Sequence, residues 1–184
     1  LKEIKKGSSQ ALKRSFILPS FVPLFFQIQL ENVGWLTCIK SAASPFFVSD
    51  KTKAIIPVHL YGFSADMDEV LSFATEHGIS VVEDAAQGVG VSYKGNHVGT
   101  LGDLGILSFY GNKTMTCGEG GMILTDDPKL AEECYKLKNH GRSKKGVFVH
   151  ESIGFNFCFT ELQAAVGLAQ LDKLPQIIDK KKTV

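Results

Sequence analysis

The chain has 184 residues, of which 44% are hydrophobic and 21% are charged, and it carries a net charge of +1. This composition is ordinary for a globular chain with one sizeable core. The near-neutral charge gives no electrostatic basis for binding nucleic acid. The cysteines are far apart and lack the spacing of metal ligands, so the sequence predicts no metal site and free thiols in a reducing cytoplasm: Cys38, Cys117, Cys134 and Cys158.

The N-terminal region places basic residues before an apolar stretch at 16–30, as a signal peptide or membrane anchor would. Pro19 and Pro23 break any helix there, and Gln27 and Gln29 interrupt the apolar run. The run is therefore shorter than the roughly 20 apolar residues of a membrane span. A buried or partly misplaced strand is predicted here, with no membrane association.

From residue 53 onward, strands alternate with helices. An apolar strand is predicted at 54–60. A helix follows from about Asp66, with Glu69 in the position that completes a capping-box-like pair, and Gly78 stops it.

The next strand carries the first candidate site residue. The run at 79–83 has the length and β-branched content of a buried strand. Asp84 is therefore predicted at a strand's carboxyl end, where open α/β sheets place their ligands. A hairpin turn is predicted at 93–96, and a further strand at 105–109 contains Ser108.

The last predicted elements are a strand at 121–125 and two helices. Asp127 is the N-cap of the first helix, which Gly141 ends. The second helix covers 160–174 and ends at Pro175. This order predicts an α/β fold with a mostly parallel central sheet flanked by helices.

Three residues have the chemistry of a pyridoxal phosphate site. Lys113 can bond covalently to the cofactor aldehyde and later move a proton. Asp84 can hold the pyridine nitrogen protonated, which keeps the ring an electron acceptor. Ser108 can bind the cofactor phosphate, and the glycines at 118–121 permit a close approach of the backbone to a planar ligand.

Two motifs carry a family resemblance: E-D-A-A-Q at 83–87 and S-F-Y-G-N-K-T at 108–114, the latter followed by G-E-G-G-M. Residues 53–179 resemble the sugar aminotransferases of the DegT/DnrJ/StrS type, which are fold-type-I pyridoxal phosphate enzymes. The motif variant is most similar to the perosamine synthase-like branch, which aminates C4 of a nucleotide-linked 4-keto-6-deoxy sugar. This resemblance implies an aspartate-aminotransferase-like large domain, glutamate as amino donor and a role in surface polysaccharide or O-antigen biosynthesis.

The resemblance also implies roles for individual residues. Asp84 matches the partner of the pyridinium, Lys113 the covalent lysine and Ser108 a phosphate ligand. Ala86 matches a small residue near the ring, and Gln87 an amide near the ring hydroxyl. Another match is the G-F-N-F element at 154–157, whose Asn156 would reach the cofactor phosphate of a neighbouring subunit, which implies a homodimer.

Each of these residues also has a simpler interpretation. Alone, Lys113 would be a surface lysine, Asp84 a turn cap and Asn156 a loop residue. His59 could line the site or be a hydrogen-bonded core histidine.

The remaining candidates are charged residues near these motifs. Glu119 could order its loop or face the substrate. Arg142, Lys144 and Lys145 could meet a nucleotide diphosphate or be surface charges.

The sequence departs from the family pattern in three ways. Residues 7–12 only distantly resemble the family's phosphate-binding turn, Cys158 stands where an arginine is usual, and family members are about twice as long. We therefore expect 1–50 to be a divergent or incomplete part of the large domain, 51–175 to be the cofactor-binding core and 176–184 to begin an interdomain helix, with no C-terminal small domain.

Three functions remain open at this point. The first is the aminotransferase, and the second is a truncated, non-catalytic relative that acts as an interaction or regulatory subunit. The third is a deoxysugar dehydratase, which would require Lys113 to be replaced, commonly by histidine.

Overall fold

The computed structural model describes residues 14–18, 34–38, 50–144 and 146–183, the first two ranges as backbone only. The turn-like motif at 7–12 and most of the apolar stretch at 16–30 lie outside these ranges. The described elements are, in chain order, β1 (Arg14–Leu18), β2 (Gly34–Cys38), β3 (Thr52–Pro57), α1 (Met67–His77), β4 (Ser80–Asp84), β5 (Ser92–Tyr93), β6 (Asn96–His97), β7 (Leu104–Ser108), β8 (Gly121–Thr125), α2 (Pro128–Lys138) and α3 (Glu161–Lys182).

In the part of the chain that is described, the main sheet has six strands in the order β1-β8-β7-β4-β3-β2. The pairs β2–β3, β3–β4 and β4–β7 are parallel, whereas β7–β8 and β8–β1 are antiparallel. The predicted α/β class with a mostly parallel sheet is confirmed. The parallel strands bring the carboxyl ends of β3, β4 and β7 to one edge of the sheet.

Local capping explains why α1 and the small hairpin form where the sequence predicts them. The Asp66 side chain accepts a hydrogen bond from the Glu69 N–H, and Gly78 ends α1 with a left-handed φ of 61°. In the hairpin of β5 and β6, Lys94 and Gly95 both have positive φ, as a type I′ turn requires.

The helix α2 ends at Lys138, before the predicted Gly141, but Gly141 has a left-handed φ of 74° and its N–H donates to the Lys136 carbonyl at 2.9 Å. The last two carbonyls of the helix accept hydrogen bonds from a segment that is distant in sequence. The Phe155 N–H donates to the Leu137 carbonyl at 2.7 Å, and the Phe157 N–H donates to the Lys138 carbonyl at 2.9 Å. These long-range bonds within the chain satisfy the helix terminus, so a further helical turn is not needed.

The predicted break at Pro175 is also wrong, because α3 continues through it to Lys182 as one helix. A proline inside a helix removes one backbone hydrogen bond but does not oblige the helix to stop. The lysines at 180–182 lie in the last turn, where positive charge stabilises the helix dipole. Thr160 and Gln163 form a capping box at the other end of α3. No helix in the described ranges is long and apolar enough to cross a membrane.

A cluster of buried side chains joins α1 to β3 and β4: Ile55, Met67, Val70, Ala74 and Val81. Met67 is the first residue of α1, and its side chain is fully buried. This cluster packs α1 against β3 and β4, and β4 is the strand that ends at Asp84.

Replacing Met67 with alanine is expected to lower the free energy of unfolding by about 2–5 kcal/mol, because the side chain leaves a cavity in the core. Urea unfolding followed by circular dichroism measures this change. The matched control is Leu168→Ala on the exposed surface of α3, which should change stability by about 0.5 kcal/mol or less. Equal losses in the two variants would contradict the placement of the core.

Candidate active site

Two candidate site residues end neighbouring parallel strands. Asp84 is the last residue of β4 and Ser108 is the last residue of β7. These strands pair in parallel, with Asp84 opposite Ile106. The predicted position of Asp84 at a strand's carboxyl end is confirmed, and Ser108 lies at the same edge of the sheet.

The turn after β4 fixes the Asp84 carboxylate and leads to Gln87. One carboxylate oxygen, Oδ1, accepts the Ala86 N–H at 3.0 Å, and the Ala85 N–H donates to the Ile106 carbonyl at 3.0 Å. The first contact is an Asx-type turn, which holds the side chain against its own backbone. Asp84 and Ala86 are half-buried. A carboxylate is therefore held in a defined orientation at the sheet edge.

The Gln87 side chain is held by a hydrogen bond from the loop that follows β3. Its Oε1 accepts the Tyr61 N–H at 3.1 Å. The amide oxygen is thereby directed toward the loop that follows β3, and the NH₂ end of the side chain points away from Tyr61. That NH₂ end is the part of Gln87 that can donate to a ligand oxygen.

Lys113 lies in the loop between β7 and β8, which begins and ends at the same edge of the sheet. The Phe109 N–H donates to the Gly120 carbonyl at 2.7 Å, and the Cys117 N–H donates to the Phe109 carbonyl at 3.1 Å. Inside this closed loop, the Lys113 N–H donates to the Tyr110 carbonyl at 3.0 Å. Lys113 is half-buried, and hydrogen bonds across the loop fix the backbone on which it lies.

The long helix α3 contacts this loop near its own first turn and near its own last turn. Gln163 Nε2 donates to the Glu119 carbonyl at 3.2 Å, and Lys181 Nζ donates to Thr114 Oγ1 at 3.0 Å. Gly120 has a φ of 147°, and a Cβ there would lie 2.5 Å from a ring carbon of Phe159. A glycine is therefore required where the loop passes under the start of α3.

Asn156 belongs to a different segment. It forms an isolated antiparallel bridge with Asn139 just after α2, and its side chain is exposed. Among the described residues, no hydrogen bond joins it to Asp84, Gln87, Ser108 or Lys113, four residues that we call the carboxyl-edge cluster.

The basic candidates near Asn156 differ in their surroundings. Arg142 is half-buried, its Nη2 donates to Asn139 Oδ1 at 3.1 Å, and it lies over the Phe148 ring at 5.2 Å. Lys144 is exposed, and Lys145 lies outside the described ranges. Arg142 is therefore not the exposed surface charge that its simpler interpretation implied.

A buried pair of side chains, His59 and Glu83, lies beside the carboxyl-edge cluster, and the sequence indicates a core position only for His59, as one of two interpretations. His59 and Glu83 are both fully buried, and His59 Nε2 lies 3.0 Å from Glu83 Oε2. The hydrogen-bonded core interpretation of His59 is therefore the one that the structure supports. Glu83 was missed, although its two-residue spacing from the buried Val81 in β4 indicates the same inward face.

The electrostatics of Glu83 follow from its contacts. Burial raises the pKa of its carboxyl, but hydrogen bonds from His59 and from the N–H groups of Gly102, Gly99 and Leu101 outweigh burial and hold that pKa below its ordinary value. Glu83 is therefore an ionised, fully ligated structural carboxylate next to the more accessible Asp84.

Comparison with known proteins places this architecture in a family. The family model of the DegT/DnrJ/EryC1/StrS aminotransferases matches residues 22–184. A GDP-perosamine synthase of Escherichia coli is 37% identical over 97% of this chain and 47% of its own length, and one of Caulobacter vibrioides is 44% identical over 74% and 37%. The chain thus spans about half the length, or less, of these relatives.

A solved structure agrees with this assignment. The NtdA protein of Bacillus subtilis with bound cofactor PMP has a TM-score of 0.61 and 37% identity, covering 69% of this chain and 29% of that one. The sheet order, the loop after β7 and the matches in sequence lead to one conclusion. The chain belongs to the DegT/DnrJ/EryC1/StrS aminotransferase family.

Proposed function

We propose that the chain is the cofactor-binding part of an aminotransferase that acts on a nucleotide-linked 4-keto-6-deoxy sugar. The observation that carries this proposal is the shared sheet edge of Asp84, Ser108 and the Lys113 loop. Pyridoxal phosphate is the cofactor of this family. The donor set fits it, since Asp84 and Ser108 end neighbouring strands beside the small Ala86, and the loop that carries Lys113 leaves the sheet at the same edge.

Each residue of the carboxyl-edge cluster has a role in this proposal. Lys113 would hold the cofactor through its Nζ, and the same amine, when free, would accept and return a proton. Asp84 keeps a proton on the ring nitrogen. Ser108 would bind the phosphate, and the NH₂ end of Gln87 would donate to the ring hydroxyl. When bound, the cofactor supplies an electron sink for the charge that develops at the substrate carbon.

The relatives support the substrate class. Both curated relatives named above are GDP-perosamine synthases. By this similarity the acceptor is a nucleotide-linked keto sugar, the donor is glutamate and the product is an amino sugar for a surface polysaccharide such as O-antigen. No observation on the described residues favours the non-catalytic alternative, and the retained Lys113 argues against the dehydratase.

We propose a cytoplasmic homodimer in which Asn156 completes the neighbouring subunit's site. Large apolar side chains near Asn156 and at the start of α3 are exposed, which supports a surface that a second subunit covers. Phe148, Ile153 and Leu162 are 81%, 87% and 82% exposed. The free thiols of Cys117 and Cys134 are consistent with a reducing compartment.

Borohydride trapping tests the proposed cofactor site directly. The protein incubated with pyridoxal phosphate should show a visible absorption band that borohydride removes, and peptide mapping should place the reduced adduct on Lys113. Lys173, an exposed lysine of α3, is the internal control and should remain unmodified. An adduct spread over several surface lysines would contradict the proposal.

A further inference from the structure

Glu83 is the centre of a buried polar network that none of the proposed catalytic roles uses. Its carboxylate accepts the N–H groups of Gly99, Leu101 and Gly102 at 2.7, 2.6 and 2.7 Å, in addition to its contact with His59. The chain from 99 to 102 leads directly into β7. Glu83 therefore ties the end of β3 to the start of the strand that carries Ser108.

His59 has a defined tautomer in this network. Its Nδ1 lies 3.1 Å from the Ala65 backbone nitrogen, whose N–H donates to it. Because Nδ1 is the acceptor there, the ring proton is on Nε2 and is donated to Glu83. One side chain thus joins the buried carboxylate to the backbone at the far end of the loop that follows β3.

This loop, residues 59–65, is closed at both ends by His59. The His59 N–H donates to the Asp84 carbonyl at 3.0 Å, while the His59 ring receives the Ala65 N–H. Between these points, Tyr61 and Gly62 have left-handed φ values of 52° and 84°. The Tyr61 N–H that this conformation presents is the donor to Gln87 Oε1.

We propose that His59 and Glu83 are a positioning pair, which orients the Gln87 amide at the cofactor edge by fixing the 59–65 loop. The inference rests on the proposed function only where it concerns the cofactor. The effect is transmitted through Ala65 and Tyr61, so the His59 Nδ1 contact matters more for Gln87 than the Nε2 contact.

Two substitutions separate the two ring nitrogens. His59→Asn can keep an acceptor near the Nδ1 position but loses the donor to Glu83, whereas His59→Gln can keep that donor but loses the acceptor for Ala65. Glu76→Gln on the exposed side of α1 is the control. Both histidine variants disturb a buried site, so global stability is measured for each by urea unfolding.

The first readout is amide hydrogen exchange of the protein without cofactor. His59→Gln should speed exchange at Ala65 and Tyr61 by roughly fivefold or more, after correction for global stability, and His59→Asn should not. Equal acceleration in both variants, or none in either, would overturn the positioning role. This readout stands even if no cofactor binds.

The second readout is the affinity for pyridoxal phosphate, measured by absorbance titration. His59→Gln should weaken binding several-fold more than His59→Asn, and combining it with Gln87→Ala should add little to the Gln87→Ala loss, because both act through one amide. Additive losses would overturn the link to Gln87. If the unsubstituted protein binds no cofactor, the proposed function fails, while the exchange experiment still decides the inference.

Discussion

Lys113→Ala should lower the rate of amine transfer by about 10⁴-fold or more, because it removes both the covalent link to the cofactor and the amine that moves the proton. The visible band of the bound cofactor should disappear in the same variant. The steady-state rate with glutamate and a nucleotide-linked keto sugar, together with the absorption spectrum, measures the two effects.

Lys173→Ala is the matched control for this substitution. Lys173 is exposed on α3, and its loss should leave both the rate and the spectrum unchanged. If Lys113→Ala kept the visible band and a normal rate, another lysine would have to hold the cofactor, and the assignment of the loop after β7 would be wrong.

Asp84→Asn is expected to lower kcat by roughly 10²–10³-fold, since a neutral amide cannot hold a proton on the ring nitrogen as a carboxylate does. The amide oxygen can still accept the Ala86 N–H, so the turn after β4 and the free energy of unfolding should change little. The loss should therefore appear in kcat and in the absorption maximum of the bound cofactor, rather than in the urea midpoint.

The exposed Asp172 of α3 supplies the control, because Asp172→Asn removes the same charge away from the sheet edge. A full rate for Asp84→Asn would show that Asp84 does not face the ring. A collapse of stability in that variant would instead assign the residue a structural role.

Local signals in the sequence were sufficient for the centre of the fold. The capping residues of α1, the left-handed Gly78 and the positive-φ turn of the small hairpin are all determined by residues within a few positions of each other. The position of Asp84 follows from the apolar, β-branched run before it, which predicts a short buried strand that ends at this residue.

Longer-range contacts decide the features that the sequence did not predict. The segment at 155–157 takes the last carbonyls of α2, and this pairing is invisible to any pattern within α2 itself. The helix α3 continues through Pro175. Its last turn is stabilised by the terminal lysines, and the Ile178 side chain packs against Gly90, where a Cβ would lie 2.5 Å from it. The burial of Glu83 could not be predicted, because a carboxylate is buried only where hydrogen-bond donors compensate it. These donors come from residues 59 and 99–102, which are remote in sequence.

Roles at the site are less predictable than positions. Fold and sequence place Asp84, Ser108 and Lys113 at one edge, but the roles of Ala86, Gln87 and Asn156 come from resemblance to the family. The Tyr61 N–H fixes the orientation of the Gln87 side chain, while its role at the ring stays a prediction. Asn156 has no such contact to the carboxyl-edge cluster among the residues described, and the role proposed for it requires a second subunit.

A crystal structure of the protein grown with pyridoxal phosphate tests the shared site most directly. The account predicts a covalent bond from Lys113 Nζ to the cofactor, with an Asp84 carboxylate oxygen about 2.7–3.0 Å from the ring nitrogen. A cofactor bound elsewhere, or one bonded to Lys113 with Asp84 directed away from the ring, would contradict it.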